Sequence, residues 1–109
     1  MPFDETLAKR VRTLLRGTDS LTEKKMFGGL AFMVNGHMCC GIVGHDLVVR
    51  TGANEYDAAL AQPHARPMNF TGRAMRGFVY VGPGGCGSTP ELKAWVQRGL
   101  RFAVSLPPK

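Results

Sequence analysis

The stretch KKMFGGLAFMVNGHMCCGIVGHDLVVRT, residues 24–51, most constrains what this chain folds into. Short apolar runs alternate with other residues and are separated by turn formers, the pattern of strands joined by tight reversals. Leu30, Phe32 and Val34 fall on one side of such a strand, and Ala31, Met33 and Asn35 on the other, because side chains alternate along an extended chain. Asn35-Gly36 is the strongest hairpin signal, since both central residues of a type I′ turn need positive φ. Gly44-His45-Asp46 supplies a second reversal. It leads into a run with Leu47, Val49 and Thr51 on one side and Val48 and Arg50 on the other.

The flanks are amphipathic and need an apolar surface to lie on. Asp4–Arg16 is predicted helical, with Asp4 as N-cap, a Leu7, Val11, Leu14 and Leu15 stripe, and Gly17 as a stop. Thr22–Phe27 reads as a short strand or an extended lead-in, broken by Gly28-Gly29. Strands are expected at Leu30–Val34, His37–Val43 and Leu47–Thr51. Asn54–Ala61 is a second helix, ended by Gln62-Pro63. Residues 62–77 are the least regular part, with a brief strand at Met68–Phe70; Gly77–Val81 is a clearer strand. Gly82–Gly87, GPGGCG, reads as a flexible connection. The last helix opens at Ser88 in a capping box with Glu91, or at Thr89 with Pro90 behind it, and runs to Ser105.

The order is α, three strands, α, two strands, α. Short connections favour antiparallel pairing, because a parallel pair needs a long crossover. Helices gathered on one face give a two-layer α+β sandwich, one domain over residues 1–109. No run approaches the roughly 18 apolar residues of a membrane span, and the polar start MPFDETLAKR lacks the apolar centre of a signal peptide. Three cysteines, an odd count, point to reduced thiols in the cytoplasm. The net charge of +6 leans toward acidic partners, but the basic residues are scattered and read as solvated surface.

The segment TEKKMFGGLAFMVNGHMCCGIV, with RPMNFTGRAMRGFVYV and LKAWVQRGLRFAVSLP after it, resembles the N-terminal domain of the TfoX/Sxy competence-regulator family. Lys25, Met26, Phe27, Gly28, Gly29 and Phe32 carry the most specific part of that likeness. The resemblance implies a bacterial protein with an α-β(3)-α-β(2)-α fold similar to type III secretion chaperones. Family members that promote natural transformation carry a second, helical domain, so this chain resembles a stand-alone N-terminal domain. A regulatory role, with a cyclic-AMP receptor protein at competence promoters, is what the resemblance suggests. It brings no catalytic residues with it.

Other motifs have bland readings beside the sharp ones. Cys39 and Cys40 are neighbours on a strand, so alternation sends them to opposite faces, and no CxxC spacing supports a metal. His37, His45 and His64 fall on a strand, a turn and a loop, with no nucleophile and base brought together, so no enzyme, metal or cofactor is expected. Arg66, Arg73 and Arg76 flank Phe70 and Tyr80, a loose basic and aromatic arrangement that single-stranded nucleic acid uses. Met26, Met33, Met38, Met68 and Met75 with Phe27, Phe32, Phe70 and Phe78 read mostly as core, with an exposed binding patch as the alternative. The expectation is a non-enzymatic regulatory or adaptor domain. It binds a protein partner, or itself as a dimer, through the open sheet face; nucleic acid is the alternative partner, and membranes are not involved.

Overall fold

Asp4 opens the first helix. Its carboxylate accepts the backbone N–H groups of Thr6 and Leu7 at 3.0 and 3.1 Å, the capping that an Asp before an apolar-periodic run predicts. The computed structural model describes residues 3–26, 28–70 and 73–107, with the side chains of 26, 69, 70 and 73–76 left aside. In it α1 spans Glu5–Leu14 and is followed by β1 (Leu21–Met26), β2 (Gly29–Val34), β3 (His37–Val43) and β4 (Asp46–Arg50). Next come α2 (Ala53–Leu60), β5 (Ala65–Phe70), β6 (Arg73–Val81), a 3-10 turn at Pro83–Gly85, and α3 (Thr89–Ser105).

The expected order holds with one strand more before α2. The stretch before Gly28 is a full strand and not a lead-in, because all six of its residues pair with β2. β5 begins at Ala65, three residues before the expected Met68, despite a proline inside it. Pro67 is tolerated because β5 is an edge strand, where a missing N–H donor has no ladder to break. Ser88, not Thr89, caps α3, with the Glu91 N–H donating to Ser88 Oγ at 3.3 Å and Glu91 Oε1 accepting from the Ser88 N–H at 3.4 Å. The loop Gly82–Gly87 is not a loose connection: Gly85 and Cys86 are buried, and the Arg10 guanidinium donates to the carbonyls of Cys86 at 2.8 Å and Gly87 at 3.3 Å.

The strands form one antiparallel sheet in the order β1-β2-β3-β4-β6-β5. Asn35 and Gly36 sit at φ +54° and +83°, the two positive values a type I′ turn requires, and they set Val34 opposite His37. After β4 the chain crosses through α2 to the far edge and returns as β6 beside β4.

All three helices share one face of this sheet. Leu7, Ala8 and Val11 of α1, Tyr56 and Ala59 of α2, and Leu92, Trp95, Val96 and Ala103 of α3 close over Leu30, Phe32, Val34, Ile42, Leu47, Val49, Val79 and Val81. That one cluster is the main core, and it makes the fold a two-layer α+β sandwich. α3 approaches the sheet closely: a Cβ placed on Gly99 would stand 2.2 Å from the Cys39 carbonyl oxygen. Among the described residues no helix is long and apolar enough to cross a membrane.

Candidate functional site

The sheet face away from the helices has its own apolar cluster. Alternation sends Ala31, Val48 and their neighbours to that side, and antiparallel pairing lines them up across the strands. Ala31, Met38, Val48 and Met68 are buried there, under half-buried Met33, Val43, Phe78 and Tyr80. The face is therefore helix-free but not bare. Among the described residues the one large hydrophobic side chain counted as exposed is Val104 on α3. The β4–β6 pairing joins the Val48 and Arg50 side of one strand to the Phe78 and Tyr80 side of the other. Local alternation hints at each half, but only the crossover through β5 brings them together.

Cations rim this cluster and are held in place. Arg66 Nη2 lies 2.6 Å from Asp46 Oδ2, and its guanidinium stacks 4.8 Å above the Tyr80 ring. Arg50 sits 5.5 Å from the Phe78 ring and 5.0 Å from the Phe102 ring. Of the three arginines proposed from sequence for nucleic acid, Arg66 is thus spent on a carboxylate and an aromatic ring. Arg73 and Arg76 fall on β6, and their side chains, like that of Phe70, lie outside the described residues.

The two adjacent cysteines break the alternation rule, and the reason is a β-bulge. Phe32 pairs with Cys40 and Met33 with Met38, so Cys39 is the extra residue between them. Both thiols consequently face the helix layer, fully buried, with their Sγ atoms 3.9 Å apart. The expected opposite facing is therefore corrected. The thiol of Cys40 is pushed well up, first by its contact with Cys39 and then by burial. Burial also pushes Cys86 up, to about 11. These are core thiols, poor nucleophiles near neutral pH because the thiolate is the reactive form.

The histidines stay apart. His37 Nε2 lies 2.6 Å from the Pro107 carbonyl and ties the chain just after α3 to the β2–β3 hairpin. His45 Nδ1 is 3.5 Å from Asp4 Oδ2 on the exposed rim. Among the described residues no group of three or more His, Cys, Asp or Glu comes together to hold a metal.

The family model for the TfoX N-terminal domain matches residues 13–103. That match spans most of the chain. The chain belongs to the TfoX N-terminal domain family. No curated protein and no solved structure matches it.

Within this TfoX N-terminal domain the family-like residues explain themselves by fit. A Cβ on Gly29 would lie 2.0 Å from the Ile42 carbonyl oxygen, so only glycine lets β2 begin this close to β3. Phe32 is fully buried beneath the helices and, among the described residues, is the largest of the completely enclosed side chains. Gly28, at φ +73°, makes the reversal between β1 and β2. Lys25 is exposed on β1, paired across the ladder with Leu30. The side chain of Met26 and all of Phe27 lie outside the described residues. Gly28, Gly29 and Phe32 build the β1–β2 hairpin and its seat on β3, and none of the three belongs to the apolar cluster of the helix-free face.

Proposed function

We propose that this TfoX N-terminal domain is a non-enzymatic regulatory adaptor that binds a protein partner, or a second copy of itself, through the helix-free face of its sheet. The observation that carries the reading is the second apolar cluster. Met33, Val43, Phe78 and Tyr80 stand half-buried over a buried layer of Ala31, Met38, Val48 and Met68, and among the described residues no helix covers them. An apolar centre rimmed by fixed cations is the composition of a protein-binding patch, with aromatic, Met and Arg residues at its heart. Membership of a competence-regulator family supports a regulatory task over a catalytic one. The nucleic-acid alternative has less support, because Arg66 is already neutralised by Asp46.

Light scattering after gel filtration measures self-association, and affinity capture from a bacterial lysate measures partner binding. The substitution Val43→Glu puts a charge into the patch at its β3–β4 turn end, and Val104→Glu places the same charge on the helix layer as a control. Self-association or a captured protein lost with Val43→Glu and kept with Val104→Glu supports the proposal. A strict monomer that captures nothing, or a partner indifferent to both substitutions, counts against it.

A further inference from the structure

The charges on the helix-free face discriminate between its possible occupants. The ladder carries one row of residues straight across that face. Lys24, Ala31, Gly41, Val48, Tyr80 and Arg66 are paired in turn, from the free edge of β1 to the free edge of β5. Strands spaced about 4.8 Å apart make this row about 24 Å long. Its middle is small or apolar, and an exposed cation stands at each end. Arg50, opposite Phe78, adds a third positive charge one pair along.

The three cations are not equally available. Arg66 is held by Asp46 at 2.6 Å. Arg50 lies 5.5 and 5.0 Å from the Phe78 and Phe102 rings, which order its guanidinium without neutralising it. Among the described residues no carboxylate lies within ion-pair distance of Arg50 or Lys24. Of the eight Asp and Glu residues, the strands put Asp46 alone on this face. Glu23 is opposite Phe32, so it turns to the helix layer and meets Arg12 there. The other six lie on the helices or in the segments beside them. Two positive charges next to an apolar centre are therefore left unanswered.

We propose that the occupant of this face is an acidic amphipathic segment of another protein, with its apolar side chains on Met33, Val43, Phe78 and Tyr80 and its carboxylates on Lys24 and Arg50. The proposal rests on the docking reading above and narrows it. Lys24 and Arg50 are three strand spacings apart across the sheet and two residues apart along it. That is about 16 Å, which a helix of about eleven residues covers. An arginine ordered by flanking rings keeps the N–H fork that a carboxylate meets with two bonds.

The same charges disfavour the other occupants. A second copy brings the same cations and a net charge of +6, and the one carboxylate of its face is already on Arg66. A nucleic acid brings phosphates, but the backbone contacts that dominate its affinity would leave methionine, valine and aromatic side chains uncovered. A segment that carries carboxylates on either side of apolar side chains answers both the charge and the apolar centre.

The test selects binders without assuming their sequence. A displayed library of random peptides of about 16 residues, about 24 Å long as helices, is first depleted on Val43→Lys and then selected on the parent. Val43→Lys breaks the apolar patch but keeps the face positive, so peptides held by charge alone are removed. The expected survivors are net negative and rich in apolar residues. Lys24→Gln and Arg50→Gln each weaken them by about two- to fivefold, the scale of an exposed ion pair. Lys24 is exposed, so Lys24→Gln leaves the urea melt at that of the parent and reads the charge alone. Neutral or basic survivors, or acidic ones indifferent to both substitutions, overturn the acidic partner and leave the docking face standing. So does a dimer in light scattering that Val43→Lys dissolves, or a mixed-sequence oligonucleotide that displaces the acidic peptides at equal concentration. No survivors and no dimer overturn the docking reading as well.

Discussion

Replacing Gly99 by Ala tests the depth at which α3 rests on the sheet. In a free helix this change stabilises by about 1 kcal/mol, because glycine is the more costly residue in a helix interior. Here the new methyl would stand 2.2 Å from the Cys39 carbonyl oxygen and 3.5 Å from Val49 Cγ1, whereas ordinary contact begins near 3.4 Å. The obstacle is backbone, held in the bulge of β3, so the helix must retreat by about 1 Å. A gap of that size forfeits a quarter to a half of the dispersion attraction of the groups that line it. Leu92, Trp95, Val96 and Ala103 all lie on the retreating side. Taking Leu92, Trp95 and Val96 at about 2 kcal/mol each and the Ala103 methyl at about 1, the loss is roughly 2–3.5 kcal/mol, and the propensity gain leaves a net destabilisation of about 1–2.5 kcal/mol. Urea unfolding followed by Trp95 emission measures this, with Val104→Ala as an exposed control on the same helix, expected within about 0.5 kcal/mol of the parent. A Gly99→Ala variant as stable as the parent, or more so, would mean that α3 does not pack against the bulge, and the two-layer argument would fail with it.

Stability also responds to pH at both ends. The Arg12 guanidinium holds Glu23 below its ordinary 4.5, and the Leu7 N–H holds Asp4 below its ordinary 3.8. A depressed carboxylate stabilises above its unfolded value and stops doing so as the pH falls through its folded one, so thermal melts should drop below about pH 4. The drop is small, because Arg12 and Glu23 are largely solvated and such pairs are worth about 0.2–1 kcal/mol. Arg12→Gln should flatten the part due to Glu23; an unchanged acid limb would refute that assignment. At the alkaline end the sign reverses, since the raised thiols of Cys40 and Cys86 favour the folded state below their ordinary 9.0 and lose that contribution as the pH climbs toward 11. The same burial predicts that a disulfide reagent near pH 8 modifies none of the three cysteines quickly in the folded protein and all three in denaturant. A thiol that reacts on mixing in the folded state would contradict the packing.

Local chemistry written in a few residues was legible before any coordinates. Asn35-Gly36 has one good conformation between two alternating runs, Asp4 and Ser88 are side chains that finish a helix start, and the apolar stripe of α3 has nowhere to go but the sheet. What stayed hidden depends on pairing between distant segments. The bulge at Cys39 exists because Phe32 pairs with Cys40 while Met33 pairs with Met38, and nothing in the run HMCCGIV marks an extra residue. The strand character of Leu21–Met26 comes from its register with β2, since the exposed Thr22, Glu23, Lys24 and Lys25 carry little apolar signal.

The division of labour between family-like residues and the helix-free face decides how function should be looked for. Gly29 and Phe32 sit where any larger or smaller side chain disturbs β2 against β3 or against the helix layer. Truncating a fully buried Phe typically costs about 3–5 kcal/mol, a large share of what a domain of this size has to lose. A substitution there removes the protein, and any activity with it, without saying where a partner touches. Val43 and Met33 stand differently: they are half-buried, and each faces away from the helices. Placing a charge on one of them leaves the main core intact and alters only the surface a partner would meet. Loss of binding with retained folding at those positions is therefore informative, whereas loss at the glycines is not.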